Sequence, residues 1–314
     1  MKVFLLSILL LFSALGLTLS FSSTTQKALL EVALEKSAEK AGMVKHSIDI
    51  DQHKLVYLER PAEQPDAEVV ILLHGFTADK NNWLRFTENV APKYRVIAID
   101  WPAHGESTFT EKADYTLVTQ ANRLKMIVDR LNIEKAHVVG NSMGGAIAAI
   151  FASYYPEHTR TLTLMNSGGA DNPNTFSKLE KGLKEGKNIL VVEKPEDFDN
   201  AFALGMSKPP TIPWFLKSAM AERSAQRSER FKYVFEQLYT GIEGKGTDYL
   251  ARIQAPTLIM WGQEDHILDV GNASIFDEVI PNSQVLIYEG IGHLPMLEAP
   301  EQSAHDIVSF ISQY

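Results

Sequence analysis

Residues 137–151 read His137-Val138-Val139-Gly140-Asn141-Ser142-Met143-Gly144-Gly145-Ala146-Ile147-Ala148-Ala149-Ile150-Phe151. The run up to Val139 has the character of a buried strand, and residues 143–155 have that of a helix halted by Pro156. Ser142 therefore stands on a sharp strand-to-helix turn, which lifts its hydroxyl to the end of the strand. Backbone angles on such a turn are strained, and side chains two residues to either side would collide. Gly140 and Gly144 remove those side chains, and Gly145, Ala146, Ala148 and Ala149 let the helix lie close to a sheet. A Gly-x-Ser-x-Gly pattern arises often by chance; the strand before it and the alanine-rich helix after it give it weight.

Outward from this turn, short apolar runs recur at residues 48–50, 55–58, 69–73, 96–99, 162–165, 257–261 and 284–288, with helical patterns at 117–131 and 300–311. Unbroken runs such as Val69-Val70-Ile71-Leu72-Leu73 suit strands covered on both faces. The alternation predicts an α/β fold: a mostly parallel sheet of about eight strands flanked by helices. It lapses over about residues 170–251, a helical, aromatic stretch read as an inserted lid within a domain spanning residues 44–314. Phe231, Val234, Phe235 and Leu238 have helical spacing and are assigned to the lid core. Trp214 and Phe215, in an apolar run beside prolines, are candidates for a substrate pocket.

The 314 residues carry 30 Lys plus Arg against 39 Asp plus Glu, a formal charge of −9, which argues against a nucleic-acid partner. The absence of cysteine excludes disulfides, thiolate metal sites and cysteine nucleophiles. Residues 1–22 read as a membrane anchor or a signal segment. Residues 3–21 carry no charge and, as a helix, approach the roughly 30 Å of a bilayer core. Cleavage at Ala14-Leu15-Gly16 is the rival reading. Under either, Lys2 stays cytoplasmic and the bulk of the chain lies on the other side, membrane-anchored or released as a secreted or periplasmic protein. Residues 23–43 read as a linker helix, capped at Ser23-Thr24-Thr25, closed by Gly42, and solvated by its mixed charges.

A serine hydroxyl needs a base to take its proton, and the base needs an acid to fix its tautomer. His293, in Gly290-Ile291-Gly292-His293, follows the last strand, and Asp265, in Trp261-Gly262-Gln263-Glu264-Asp265, follows the one before it. Of the near neighbours of Asp265, Glu264 is assigned to solvent and Asp269 to the cap of the following helix. The backbone N–H groups of Met143, after the nucleophile, and Phe76, after the strand at 69–73, are assigned to an oxyanion hole. His74 is read as an organiser of its loop. No His-Glu-x-x-His pair and no calcium loop is present, so no metal is assigned. No cofactor is assigned either: Gly241-Ile242-Glu243-Gly244-Lys245-Gly246 has the wrong spacing for a dinucleotide and follows no strand.

On these residues the chain resembles the α/β-hydrolase fold family in its lipase and esterase branch. Within that branch it is similar to the membrane-anchored monoacylglycerol lipases of the sixth α/β-hydrolase-domain type and to related bacterial lipases. The closer likeness rests on His74-Gly75-Phe76-Thr77-Ala78-Asp79-Lys80 with Trp83, on Asn141-Ser142-Met143-Gly144-Gly145, and on Trp261-Gly262 through Asp265 to Val270. Ala103 departs from it, standing where the family usually has glycine. The resemblance implies hydrolysis of lipid or acyl-glycerol esters. The elbow also resembles that of carbon–carbon bond hydrolases of aromatic ring-fission products, which usually carry an aromatic residue after the base; here Leu294-Pro295 follow His293. A third reading, a non-catalytic protein on a hydrolase fold, expects a missing triad member, and none is missing.

Overall fold

The apolar runs assemble into one eight-stranded sheet in the computed structural model, which describes residues 22–170, 172–240 and 247–314. The strands are β1 (Val44–Ile50), β2 (His53–Arg60), β3 (Val69–Leu73), β4 (Arg95–Ile99), β5 (Ala136–Asn141), β6 (Thr159–Met165), β7 (Thr257–Gly262) and β8 (Ser283–Tyr288), in the order β1-β2-β4-β3-β5-β6-β7-β8. β2 runs antiparallel to both neighbours, and every pairing from β4 through β8 is parallel.

Residues of period two divide the core between the two faces. Val69, Ile71 and Leu73 of β3, with Ile97 and Ile99 of β4, join one cluster with the helices Leu117–Arg130 and Met143–Tyr154. Val70, Leu72, Val96 and Ala98 face the opposite cluster, closed by Trp83, Phe86 and the helix Pro300–Ile311. Burial on both faces is why these strands read as unbroken apolar runs. β8, at the sheet edge, instead leaves Val285 and Ile287 exposed.

The insertion between β6 and β7 holds the helices Lys178–Lys184, Phe198–Gly205, Trp214–Ala225 and Ser228–Thr240. Ahead of the sheet, the Ser23–Lys40 helix is solvated over much of its surface, as its mixed charges suggest, but one face of it docks on the lid. Gln26 and Leu30 are buried, Glu31 pairs with Arg223 at 3.0 Å, and Ser23 and Lys27 both reach Glu222. Lys27 and Glu31 thus meet charges on a lid helix, while Glu35, Lys36, Glu39 and Lys40 stay exposed to water. Its N-cap is Ser22, without a side-chain capping bond, and Ser23, read from sequence as part of the cap, instead donates its hydroxyl to Glu222 Oε2 at 2.7 Å. Ala103 adopts φ 69°, a left-handed conformation that glycine reaches without the roughly 1–2 kcal/mol cost of a Cβ. No helix among the described residues is long and apolar enough to cross a membrane. The segment read as an anchor or signal, and the glycine-rich run 241–246, lie outside the described residues.

Candidate active site

Strands that run parallel deliver their carboxyl ends to one edge, and the loops that leave them there meet. Ser142 directly follows β5 and is the N-cap of the helix Met143–Tyr154, with φ 55° and ψ −119°. That backbone state costs a non-glycine residue about 1–3 kcal/mol. The flanking glycines are required by contact: a Cβ on Gly140 would run into the Gly144 carbonyl, and a Cβ on Gly144 into the carbonyls of Leu73 and His74. The elbow is thus wedged against the end of β3, and this brings the Gly75 backbone beside Ser142.

His293 and Asp265 are both buried, and His293 Nδ1 lies 2.7 Å from Asp265 Oδ2. The carboxylate is fully engaged. Its Oδ1 accepts from the backbone N–H groups of Ile267 at 2.8 Å and Leu268 at 3.0 Å, and its Oδ2 also accepts from Asn166 Nδ2 at 2.7 Å. A carboxylate surrounded by donors accepts from His293 as well, so the ring carries its proton on Nδ1 and leaves Nε2 free to act as a base. Ser142 and His293 line one cavity of about 230 Å³, and no hydrogen bond joins the two residues among the described residues. In apo geometry such a contact is commonly open and closes when substrate binds. Asp269 and Glu264 take no part in this cluster: Glu264 is exposed, and Asp269 Oδ1 accepts from Gly271 N and the Thr175 hydroxyl.

The Phe76 N–H makes no hydrogen bond among the described residues, and its direction is set by its neighbour. The Trp101 N–H donates to His74 Nε2 at 3.2 Å, so the His74 proton is on Nδ1, which donates to the Gly75 carbonyl at 2.8 Å. In a planar trans peptide, C=O and N–H point in opposite directions. Holding the Gly75 carbonyl toward His74 therefore turns the Phe76 N–H away from that ring. Burial lowers the His74 pKa, which keeps the ring in the neutral form this chain of bonds requires. The far end of the loop is pinned by Lys80, which is 1 % exposed; its Nζ lies 2.8 Å from both Asp100 Oδ2 and Glu106 Oε1. Met143 N, at the first position of its helix, is one of the N–H groups that a helix leaves without an internal partner.

His74→Phe fills the ring volume and removes the proton that holds the Gly75 carbonyl. The expected result is a kcat lower by about tenfold to a hundredfold with KM little changed, less than the roughly 10²- to 10³-fold cost of losing one oxyanion donor outright, because the donor is misaligned and not removed. His74→Asn, whose Nδ2 stands in for Nδ1, is expected to recover most of the loss. An equal loss in both variants would show that the ring serves packing alone.

The lid closes the cavity with Val192, Phe198, Phe202 and Met220. Phe231, assigned from sequence to the lid core, is buried and also lines the cavity, where its ring meets Phe76 at 5.5 Å. Trp214 and Phe215 are not in the wall; Trp214 is half-exposed and meets the Phe215 ring edge-on. Sequence reasoning gave no role to Asn166 or Asn141. Asn141 Nδ2 donates to the carbonyls of Met165 and His293, so the residue before the serine holds the histidine loop. Asn166 follows β6 with no motif around it, and nothing in the sequence singles it out. No cluster of metal-ligating side chains occurs among the described residues.

The profile of the alpha/beta hydrolase fold family matches residues 68–300. Lipase 1 of Psychrobacter immobilis is 32% identical over 260 residues, covering 82% of this chain and 81% of the lipase. Monoacylglycerol lipase ABHD6 of Mus musculus is 28% identical, covering 81% of this chain and 77% of the enzyme. The crystal structure of a membrane phospholipase A, described as a bacterial virulence factor, superposes with a TM-score of 0.88 at 35% identity over 100% of this chain and 99% of that one.

Proposed function

The chain belongs to the α/β-hydrolase fold family, and from that premise we propose that it hydrolyses carboxylic esters of lipids or acyl glycerols through an acyl-enzyme on Ser142. The observation that carries the assignment of roles is the His293 Nδ1 to Asp265 Oδ2 contact of 2.7 Å in a cavity that also holds Ser142.

The Ser142 Oγ attacks the ester carbonyl carbon while His293 Nε2 takes the hydroxyl proton. The carbonyl oxygen becomes an oxyanion and meets the Phe76 and Met143 N–H groups, with the positive end of the Met143–Tyr154 helix behind the second. The imidazolium gives its proton to the leaving alcohol as the C–O bond breaks, which leaves the acyl group on Ser142. Water repeats the cycle: His293 takes its proton, hydroxide adds to the acyl carbon, and the fatty acid leaves as Ser142 recovers its hydrogen. Asp265 stabilises the imidazolium without itself taking the proton. The apolar lid residues Val192, Phe198 and Phe202 provide the surface for an acyl chain.

The apolar segment at residues 3–21 supports placing the enzyme at a membrane, as a single N-terminal anchor with the hydrolase domain on the non-cytoplasmic side or, after cleavage, as a secreted or periplasmic protein. No cofactor enters this mechanism.

A panel of monoacylglycerols, triacylglycerols and soluble p-nitrophenyl esters, read by fatty-acid or phenolate release and set beside a ring-fission dienoate, tests the assignment. Turnover of the acyl esters with none of the dienoate is expected. Turnover of the dienoate alone would move the enzyme to carbon–carbon bond hydrolysis.

A further inference from the structure

The lid brings three arginines together in a chain whose net charge is −9: Arg223, Arg227 and Arg230, spaced four and three apart across the junction of the helices Trp214–Ala225 and Ser228–Thr240. Arg223 and Arg227 line the same cavity as Ser142. Each guanidinium makes one hydrogen bond within the described residues: Arg223 Nη1 to Glu31 Oε1 at 3.0 Å, and Arg227 Nη2 to the Gly105 carbonyl at 2.8 Å. Their other guanidinium N–H groups have no protein acceptor among the described residues. One turn on, Arg230 has its Nε and Nη2 buried, also without a hydrogen-bond partner among them.

A guanidinium taken out of water without acceptors is destabilised, and three of them in succession repel one another. Burial, and after it the charge of the preceding arginine, lowers the pKa of both Arg227 and Arg230, the latter to about 10. The carboxylates nearby are largely committed. Glu31 takes Arg223, Asp100 takes the Lys80 ammonium, and Asp79, which also lines the cavity, accepts from the Asn81 N–H. Asp79, Asp100 and Glu31 lie near enough to act on the Arg227 charge, but none of them accepts from its guanidinium, so both Arg223 and Arg227 line the cavity with donors to spare, while Val192, Phe198 and Phe202 make another part of it apolar. A ligand that matches both has an acyl chain and an oxyanion large enough for two guanidinium forks. Phosphate offers several oxygens to such forks.

We propose that Arg223 and Arg227, backed by Arg230, form a head-group subsite for the phosphate of an acylated glycerol phosphate whose ester is cleaved at Ser142. The proposal rests on the ester-hydrolase reading above and adds to it which alcohol the enzyme prefers.

The test compares two soluble substrates with the same short acyl chain, a 1-acylglycerol 3-phosphate and the corresponding monoacylglycerol. Both give the same acyl-enzyme, so the ratio of their kcat/KM values reports the alcohol side alone and does not depend on the fraction of protein that is folded. A wild-type ratio above one is expected, falling at least tenfold in Arg227→Gln and in Arg223→Gln, mainly through KM of the phosphate substrate, with partial recovery in Arg227→Lys. A ratio unchanged in both glutamine variants, or a wild-type enzyme that cleaves the monoacylglycerol and leaves the phosphate ester intact, would overturn the subsite and leave the hydrolase reading standing. Failure to cleave either ester would remove the hydrolase reading itself. Competitive inhibition of monoacylglycerol turnover by inorganic phosphate together with a wild-type ratio at or below one would assign the arginines to the free anion and overturn the head-group role.

Discussion

Ser142→Ala is expected to lower kcat for any carboxylic ester by about 10⁵ to 10⁶, leaving only the small rate that binding and the oxyanion donors sustain. The variant removes one oxygen. Alanine bears the same Cβ as serine at φ 55°, so the strain of the elbow is unchanged and the melting temperature should stay close to wild type. The Ser142 backbone carbonyl, which accepts from Ala146 N and Gly168 N, is also untouched. The measurement is fatty-acid release alongside a thermal melt. Retained turnover with a native melt would assign the chemistry to another nucleophile.

Asp265→Asn is expected to cost about 10⁴ in kcat, for a reason visible in the bonds around the carboxylate. Oδ1 faces two backbone N–H groups, from Ile267 and Leu268, which cannot turn away. An asparagine must put its carbonyl oxygen there. Its amide nitrogen then faces Asn166 Nδ2 and His293 Nδ1, where the wild-type oxygen accepted from both. Donor against donor drives His293 to the other tautomer, with its proton on Nε2, and the ring can no longer take the serine proton. Some stability is lost as well, because Asn166 is left with an unmatched buried donor. The pH profile of kcat distinguishes this from a packing defect: the loss should ease at high pH, where hydroxide competes as base, whereas a misfolded site would stay inactive throughout.

Much of the fold was legible because burial on both sides of a parallel sheet leaves an unbroken apolar run for each strand. The residues 69–73, 96–99 and 257–261 fall inside the observed β3, β4 and β7. The edges were less legible. β1 begins at Val44 and β2 extends to Arg60, because polar residues such as Lys45, His46 and Ser47 pair in an edge ladder that hydrophobicity does not report. The apolar runs 48–50 and 55–58 leave four residues between them, whereas a two-residue turn at Asp51-Gln52 suffices, and His53 and Lys54 belong to β2. At the site, the elbow glycines carry a steric signature that can be read from their spacing once the strand before them and the alanine-rich helix after them are recognised. The supporting bonds of Asn166 and Asn141 depend on which loops meet in space, and no spacing encodes that. The lid shows the same limit. Its helical aromatic character was evident, but Phe231 rather than Trp214 reaches the cavity, because which face a lid helix turns inward depends on packing beyond its own sequence.

The most direct test of the nucleophile and its base is covalent capture. The protein is treated with an alkyl fluorophosphonate, digested, and mapped by mass spectrometry, with the labelling rate followed in wild type and in His293→Ala. One adduct is predicted, on Ser142, forming at least a thousandfold more slowly without the imidazole. An adduct on a different residue, or labelling of Ser142 at the wild-type rate in His293→Ala, would contradict the account.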